Sequence, residues 1–356
     1  MTLPTTTRQW VLTNKPTDLV SLSGPSPTFT QSTASIPSLK PNQVLLKTLY
    51  FSNDPAQRGW ISKYVKADRM YVPPVSEGEV MRARAISEVL ESTAEGFKKG
   101  MLVSANAGWK EYMVTDAKEC SPVADNLGVK PTQFLGALGF TGLTALYGTR
   151  DIVRAGPGDT VVVSGAAGAT GSMVVQIAKN MLGCKRVIGI AGSDDKCRWV
   201  ESLGADICVN YKKPEFKKEL IEATEGYVEV YFDNVGGEIL DLMLTRMARH
   251  GRVAACGAVS NYNTSQPTGL RNWGEIIVMR IEIRGFIIFD FAPKFAEATR
   301  ELIAAYKEGK IRIGDESETI VETSFEDIPR TWMKLFEGSN TGKLVTKLKY
   351  GESSSL

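Results

Sequence analysis

Residues 159–179 read DTVVVSGAAGATGSMVVQIAK. Four strand-forming residues, Thr160 to Val163, run into a turn of glycine and alanine, and an apolar helical pattern follows at once. A strand, a glycine turn and a helix in that order form the unit that cradles a phosphate. The glycines Gly165, Gly168 and Gly171 are spaced GxxGxxG rather than GxGxxG. Glycine lets the backbone reverse tightly and lets a ligand phosphate approach without a Cβ in the way. The helix opening near Ala169 points unpaired N–H groups and its positive dipole end at that phosphate. The same glycines also suit a tight turn with close helix–sheet packing and no ligand. The α/β alternation that follows them favours a dinucleotide.

The kind of dinucleotide is decided at the end of the next strand, IGIAGSDDK, residues 188–196. An NAD site places an acid there to bond the ribose 2′-hydroxyl. Here Gly192 stands in that place, followed by Ser193 and Lys196. A hydroxyl and a cation suit a 2′-phosphate. Asp194 and Asp195 fall in the first turn of the following helix, where its dipole favours carboxylates. The expectation is NADPH.

Working outward, residues from about Pro131 alternate strand and helix, which predicts a parallel sheet with helices on both faces. The strands expected are Thr160–Ser164, Arg186–Ala191, Ile207–Asn210, Val228–Phe232, Arg252–Cys256 and Glu282–Ile288. Helices are expected near Gly171–Met181, Asp195–Leu203, Pro214–Thr224, Glu238–Ala248 and Pro293–Glu308. Before them, from Gln43 to about Thr115, short strands broken by Gly, Pro and Asn predict an all-β, barrel-like module. The fold class is therefore α/β: a doubly wound parallel sheet plus a β-barrel domain. The expected domains are 1–130, completed by a returning segment 311–356, and 131–310 for the dinucleotide.

The 356 residues carry 42 basic and 40 acidic side chains, a net charge of +2. With charge mixed along the chain, nothing points to nucleic acid or a membrane surface as partner. No apolar run is long enough to span a bilayer and no signal pattern opens the chain, so the cytoplasm is the expected location. The C-terminal Ser-Ser-Leu is only loosely like a peroxisomal address, since the basic middle residue is missing. The five cysteines, Cys120, Cys184, Cys197, Cys208 and Cys256, show no CxxC pair and read as reduced. The one histidine, His250, falls in the turn before RVAACG. Without a His–Cys cluster no metal site is expected, and no GxSxG elbow is present for a Ser-His-Asp arrangement. Glu77 and Glu79, in EGE, read as a turn. Hydride transfer needs neither metal nor histidine where a cofactor carries it.

Taken together, LKTLYFSNDPAQRGWI, GFTGLTALYG, the glycine turn, AGSDDK, NYK, YFDNVGG, CGAVSNYN, RGFII and LFEGSNTGKLV cover nearly the whole chain. In that order they resemble the zinc-independent medium-chain dehydrogenase/reductases, in the prostaglandin reductase and alkenal double-bond reductase branch. The resemblance implies a GroES-like domain with a Rossmann domain, NADPH as cofactor, and a homodimer. Carried over by motif, Gly168, Ala169, Thr170 and Gly171 would line the pyrophosphate, and Lys196 and Tyr211 would meet the 2′-phosphate. Asn234 would lie near the cofactor, Cys256, Gly257 and Ala258 through Tyr262 would pass under the nicotinamide ribose, Phe286, Ile287 and Ile288 would flank the ring, and Asn340 would reach in from the returning segment.

The branch's reaction delivers hydride to the β-carbon of an α,β-unsaturated ketone or aldehyde and stabilises the enolate. Tyr262 is the first candidate for that hydrogen bond, and Tyr50, matched to a tyrosine in a loop of the first domain, is the candidate facing the substrate. Relatives often carry an aromatic residue at the position of Ala56, so the substrate pocket is expected to differ in shape. A quinone or carbonyl reductase on the same scaffold, or a dinucleotide-binding protein without turnover, are the alternative readings.

Overall fold

The computed structural model describes residues 3–124 and 126–350; the Ser-Ser-Leu ending lies outside them. The chain divides into two units. One holds the residues up to Leu135, Thr319–Ser339 and those from Leu344 onward; the other holds Gly136–Glu318 and Asn340–Lys343. The short segment 131–135 thus goes with the first unit and most of 311–318 with the second.

In the first unit β1 (Thr6–Leu12) and β2 (Phe29–Ser35) form an antiparallel pair. They are followed by β3 (Gln43–Ser52), the short α1 (Ala56–Trp60), β4 (Arg84–Ser92), β5 (Leu102–Asn106), β6 (Tyr112–Asp116) and β7 (Ser121–Pro122). The turn at Glu77–Glu79 is built as expected: Gly78 has φ +91°, and Glu79 Oε2 accepts the Ser76 amide at 2.8 Å.

In the second unit α2 (Phe140–Tyr147) precedes β8 (Thr160–Ser164), and α3 (Ala169–Gln176) leads to β9 (Arg186–Ala191). Then come α4 (Asp194–Ser202), β10 (Ile207–Asn210), α5 (Phe216–Ala223), β11 (Val228–Asp233), α6 (Gly237–Leu244) and β12 (Met247–Ala255). The series closes with α7 (Trp273–Met279), β13 (Glu282–Gly285) and α8 (Phe295–Lys307). The chain then returns to the first unit through β14 (Glu318–Thr323), α9 (Ile328–Glu337) and β15 (Lys343–Leu348).

The first unit's main sheet has seven strands in the order β14-β15-β3-β4-β5-β7, with β6 also on β3. Its ladders are open-ended rather than a closed barrel. Two register shifts between β3 and β4 bend it, as bulges do. Trp109 and Trp332 are fully buried, with ring centroids 5.8 Å apart. Trp332, Phe325 and Ile328 come from the returning segment and complete a core begun by Leu12, Phe29 and Phe51.

The second unit's sheet is parallel, in the order β10-β9-β8-β11-β12-β13. Numbered from β8 this is 3-2-1-4-5-6, the doubly wound order, with its switch point between β8 and β11. The near-continuous Val and Ile runs of β8, β9 and β10 are what a strand buried on both faces requires. Val162, Ile188, Ile190, Val209 and Val253 pack in one core with Leu220 of α5 and Met243 of α6.

Several expected boundaries move. The helix expected to reach Ala248 stops at Leu244, and Met247 already pairs with Val228. The pairing then skips to Arg252, and in the excursion between them His250 takes φ +63°, so the histidine lies within a bulged strand. At the far edge β13 ends at Gly285; Phe286 and Ile287 follow the strand, and Ile288 opens a 3₁₀ segment. The expected helix Gly171–Met181 begins two residues earlier and closes in a single wide π turn over Ile177–Met181.

Candidate functional site

At the switch point, β8 ends in Ser164 and β11 in Asp233. Gly165 turns the chain at φ +59°, and the Gly168 amide closes the turn on the Gly165 carbonyl at 2.9 Å. A Cβ on Gly171 would lie 2.3 Å from that carbonyl oxygen, so only glycine lets α3 start this close to β8. A Cβ on Gly168 would meet it at 3.2 Å. Ala169 and Thr170 form the first turn of α3, whose leading amides are the donors an anion would need.

Asn340 reaches this turn through its neighbour. Its Nδ2 donates to the Gly342 carbonyl at 2.8 Å, and the Gly342 amide donates to Ala167 at 2.8 Å, docking the loop on the glycine turn. Gly342 has no alternative here, since a Cβ would sit 2.0 Å from the Ser317 carbonyl.

The turn after β11 is organised by Asp233, which sequence reading passed over. Its side chain is buried, and Oδ1 accepts the Tyr231 hydroxyl at 2.7 Å, the Ser164 hydroxyl at 3.1 Å, and the amides of Val235 and Gly236 at 3.1 and 3.0 Å. Asn234 is held in turn: its amide donates to Ser164 Oγ at 2.9 Å and its Nδ2 to the Ser164 carbonyl at 2.7 Å. One carboxylate therefore ties the ends of β8 and β11 together and fixes the loop between them. Burial, then the charge of Asp233, raises the Tyr231 phenol well above its ordinary range.

The backbone amides of Cys256 and Gly257 donate to the Asp233 carbonyl at 2.9 and 3.1 Å, so the chain after β12 is drawn beside the same turn. Burial, then Asp233, pushes the Cys256 thiol up to about 12 and makes it inert. From Ala258 a short turn brings Tyr262 back, and its hydroxyl accepts the Ala258 amide at 3.3 Å. A Cβ on Gly257 would press on that hydroxyl at 3.4 Å. Phe286 packs edge-on to Phe232, and a Cβ on Gly148 would stand 2.7 Å from one ring and 2.5 Å from the other. Ile287 and Ile288 are half-buried beside it.

At the end of β9, Tyr211 covers Gly192 so closely that a Cβ there would lie 3.1 Å from the phenol oxygen. Ser193 is the N-cap of α4, its Oγ accepting the Lys196 amide at 3.2 Å. Both acids lie in the first turn of α4 as expected, and Asp194 is taken up by Lys213 at 3.0 Å and Asn210 at 3.0 Å. Lys196 is held below the ordinary lysine range, first by burial and then by the charge of Lys212. A cation in the first turn of α4, beside a small residue where an acid would otherwise stand, makes a place for a multiply charged anion.

Residues 8–123 match the N-terminal domain of oxidoreductase family, and residues 169–305 the zinc-binding dehydrogenase family. Bovine prostaglandin reductase 1 is 36% identical over 90% of this chain and 93% of its own. A 2-alkenal reductase (NADP(+)-dependent) of Nicotiana tabacum is 35% identical over 85% of this chain and 87% of its own. The crystal structure of CurA from Vibrio vulnificus in complex with NADPH matches with a TM-score of 0.85 at 33% identity, covering 97% of this chain and 100% of that one. The chain belongs to the prostaglandin and alkenal reductase branch of the medium-chain dehydrogenase/reductases.

Within this branch's pattern the second unit brings the expected cofactor residues to the carboxyl ends of β8, β9, β10, β11, β12 and β13 or to the loop docked on them. Tyr50 differs from its expectation. It belongs to the first unit, near the end of β3 rather than in a loop, opposite Ile86 and Lys347, and packs on the cluster of Ile86, Leu135 and Val345. Among the described residues, no three His, Cys, Asp or Glu side chains group so as to hold a metal ion. No described helix is long and apolar enough to cross a membrane. Asp233, Ser164, Gly148, Gly342 and Lys212 were not singled out from the sequence. Asp233 left a faint signal, an acid closing an apolar strand and followed by Asn-Val-Gly-Gly.

Proposed function

We propose that this chain reduces the C=C bond of α,β-unsaturated ketones or aldehydes with NADPH. The observation that carries the cofactor choice is Gly192, covered by the Tyr211 phenol where an NAD site would hold a carboxylate and followed by Ser193 and Lys196 at the start of α4; the reaction class follows from the branch. Gly165, Gly168, Ala169, Thr170 and Gly171 take the pyrophosphate, Gly192, Ser193, Lys196 and Tyr211 the 2′-phosphate ribose, and Asn234, Cys256, Gly257, Ala258, Phe286, Ile287, Ile288 and Asn340 the nicotinamide half. The cradle fits such a group because side chains are missing where it must pass and amides and cations stand where its charge would lie.

When bound, NADPH supplies the hydride. The protein holds the alkene in line and excludes water. Tyr262 donates its hydroxyl hydrogen to the carbonyl oxygen as negative charge develops there, and the Ala258 amide, donating to the same hydroxyl, strengthens that donor. Tyr50 faces the substrate. The protein works in the cytoplasm, where its five free cysteines stay reduced, and acts on small molecules rather than on nucleic acid or membranes.

The chain pairs with a second copy. β13 is the edge of its sheet, and beside it Trp273, Ile277 and Val278 of α7 are 59%, 68% and 64% exposed, an apolar surface that a partner would cover. Sedimentation should show a dimer; a monomer at micromolar concentration contradicts this. The function itself is tested by NADPH oxidation with a conjugated enone, its saturated ketone and a quinone. Turnover confined to the enone, yielding the saturated ketone, is expected. An allylic alcohol as product, or turnover of the quinone alone, overturns it.

A further inference from the structure

The loop from Ala258 to Tyr262 closes on itself, the Tyr262 hydroxyl accepting the Ala258 amide at 3.3 Å. Its middle is a single 3₁₀ turn, Val259–Asn261, with the Tyr262 amide on the Val259 carbonyl at 3.4 Å. Hydrogen bonds hold this middle to the turn after β11. The Val259 amide donates to the Asn234 carbonyl at 3.4 Å and the Ser260 amide to the Val235 carbonyl at 3.2 Å, both long for N–H···O. The Ser260 side chain makes the short one: Oγ donates to the same Val235 carbonyl at 2.6 Å.

The anchor is itself fixed. The Val235 amide donates to Asp233 Oδ1 at 3.1 Å, within the cluster that ties β8 to β11. The two glycines that follow leave room for the contact. A Cβ on Gly236 would lie 3.1 Å from the Ala258 Cβ, and one on Gly237 would lie 2.8 Å from Ser260 Oγ.

We propose that Ser260 is a positioning residue for the reduction, its hydroxyl setting the place from which Tyr262 meets the substrate carbonyl. Support runs from Asp233 through Val235 to Ser260, and from Ser260 through one turn to Tyr262. Without the hydroxyl, the middle of the loop hangs from the longer amide bonds, and Tyr262 shifts with it. A donor displaced by about 1 Å loses most of its effect on rate. Ser260 is exposed, so losing its hydrogen bond costs the fold little. The glycine turn and Lys196 hold NADPH elsewhere, so the loss falls on turnover rather than on binding. This role rests on the oxyanion bond given to Tyr262 above.

The test uses the whole protein with NADPH and a conjugated enone. Ser260→Ala should lower kcat about tenfold, while the enone KM and the NADPH Kd stay within about threefold. Its urea midpoint should match that of the unmodified protein. Ser260→Thr, which keeps the hydroxyl, should recover most of the lost rate. Tyr262→Phe removes the donor outright, and adding Ser260→Ala to it should lower kcat no further, because the serine acts through the tyrosine. An unchanged kcat in Ser260→Ala overturns the proposal. So does an equal further loss on top of Tyr262→Phe, which marks a merely structural role, or a weaker NADPH Kd with kcat intact. If Tyr262→Phe keeps the full rate, the oxyanion reading falls and takes this role with it. If Tyr262→Phe is slow and Ser260→Ala is not, the positioning alone is lost. An unmodified protein that reduces no enone removes the proposed function and this role together.

Discussion

After β8 the chain turns through Gly165, Ala166, Ala167 and Gly168, and the turn exists because side chains are absent. After β11 it turns through Asp233, Asn234, Val235 and Gly236, and that turn exists because one carboxylate gathers four donors. The two lie side by side at the switch point of the sheet and meet at Ser164, whose hydroxyl donates to Asp233 while its Oγ and carbonyl hold Asn234. The first shape is a matter of space and the second a matter of hydrogen bonds. They should therefore fail differently under substitution.

The largest effect is expected at the second turn. Asp233→Ala leaves two hydroxyls and two amides without their acceptor, and at about 1 kcal/mol for each hydrogen bond it should destabilise the fold by about 4 kcal/mol. Urea denaturation measures this, and a loss under about 1 kcal/mol would show that the turn holds itself. At the first turn, Gly171→Ala presses a methyl against the Gly165 carbonyl and should cost about 3 kcal/mol. Gly168→Ala, with its wider 3.2 Å approach, should cost under about 1 kcal/mol in stability while weakening the dinucleotide. Equal stability losses at the two glycines would contradict the steric account.

The smaller effects belong to the third turn, after β9, where charge rather than shape decides. Lys196→Ala should raise the NADPH Kd about 10- to 100-fold, the loss expected of one charge-assisted hydrogen bond, and leave the NADH Kd unchanged. Equal effects on both would remove the 2′-phosphate assignment. A pH series sharpens this. Because Lys196 lies below the ordinary lysine range, its charge is lost earlier as pH rises, while the phosphate is a dianion from about pH 6 upward. The preference for NADPH should be greatest just above that point and fade as pH climbs towards the ordinary lysine value. NADH binding should stay level across the series, and a flat NADPH profile would contradict the role given to Lys196.

The same contrast explains how much could be read beforehand. Strands β8, β9 and β10 were legible to the residue because they are unbroken apolar runs bounded by Gly and polar residues. The glycine turn was legible because missing side chains at fixed spacing leave a pattern in the sequence, and Gly192 could be read as the absence of an acid. Asp233 was not, because an acid after an apolar strand is indistinguishable by type from a loop residue; its four partners are set by the sheet order. Boundaries slipped where a single backbone conformation decides them, at His250 with its positive φ and at Gly285, where β13 stops three residues short. Tyr50 was placed in a loop by the resemblance alone, although QVLLKTLYF reads locally as a strand and is one; what no local pattern records is the pairing of β3 with β15, nearly 300 positions away.

The central claim is that hydride reaches carbon across a C=C bond rather than a carbonyl. It is tested most directly by supplying NADPH deuterated at nicotinamide C4, on the transferring face, with a conjugated enone, and locating the label in the product by NMR. Deuterium at the β-carbon of a saturated ketone is the predicted result. Deuterium on the carbon bearing oxygen, with the double bond intact, would contradict it.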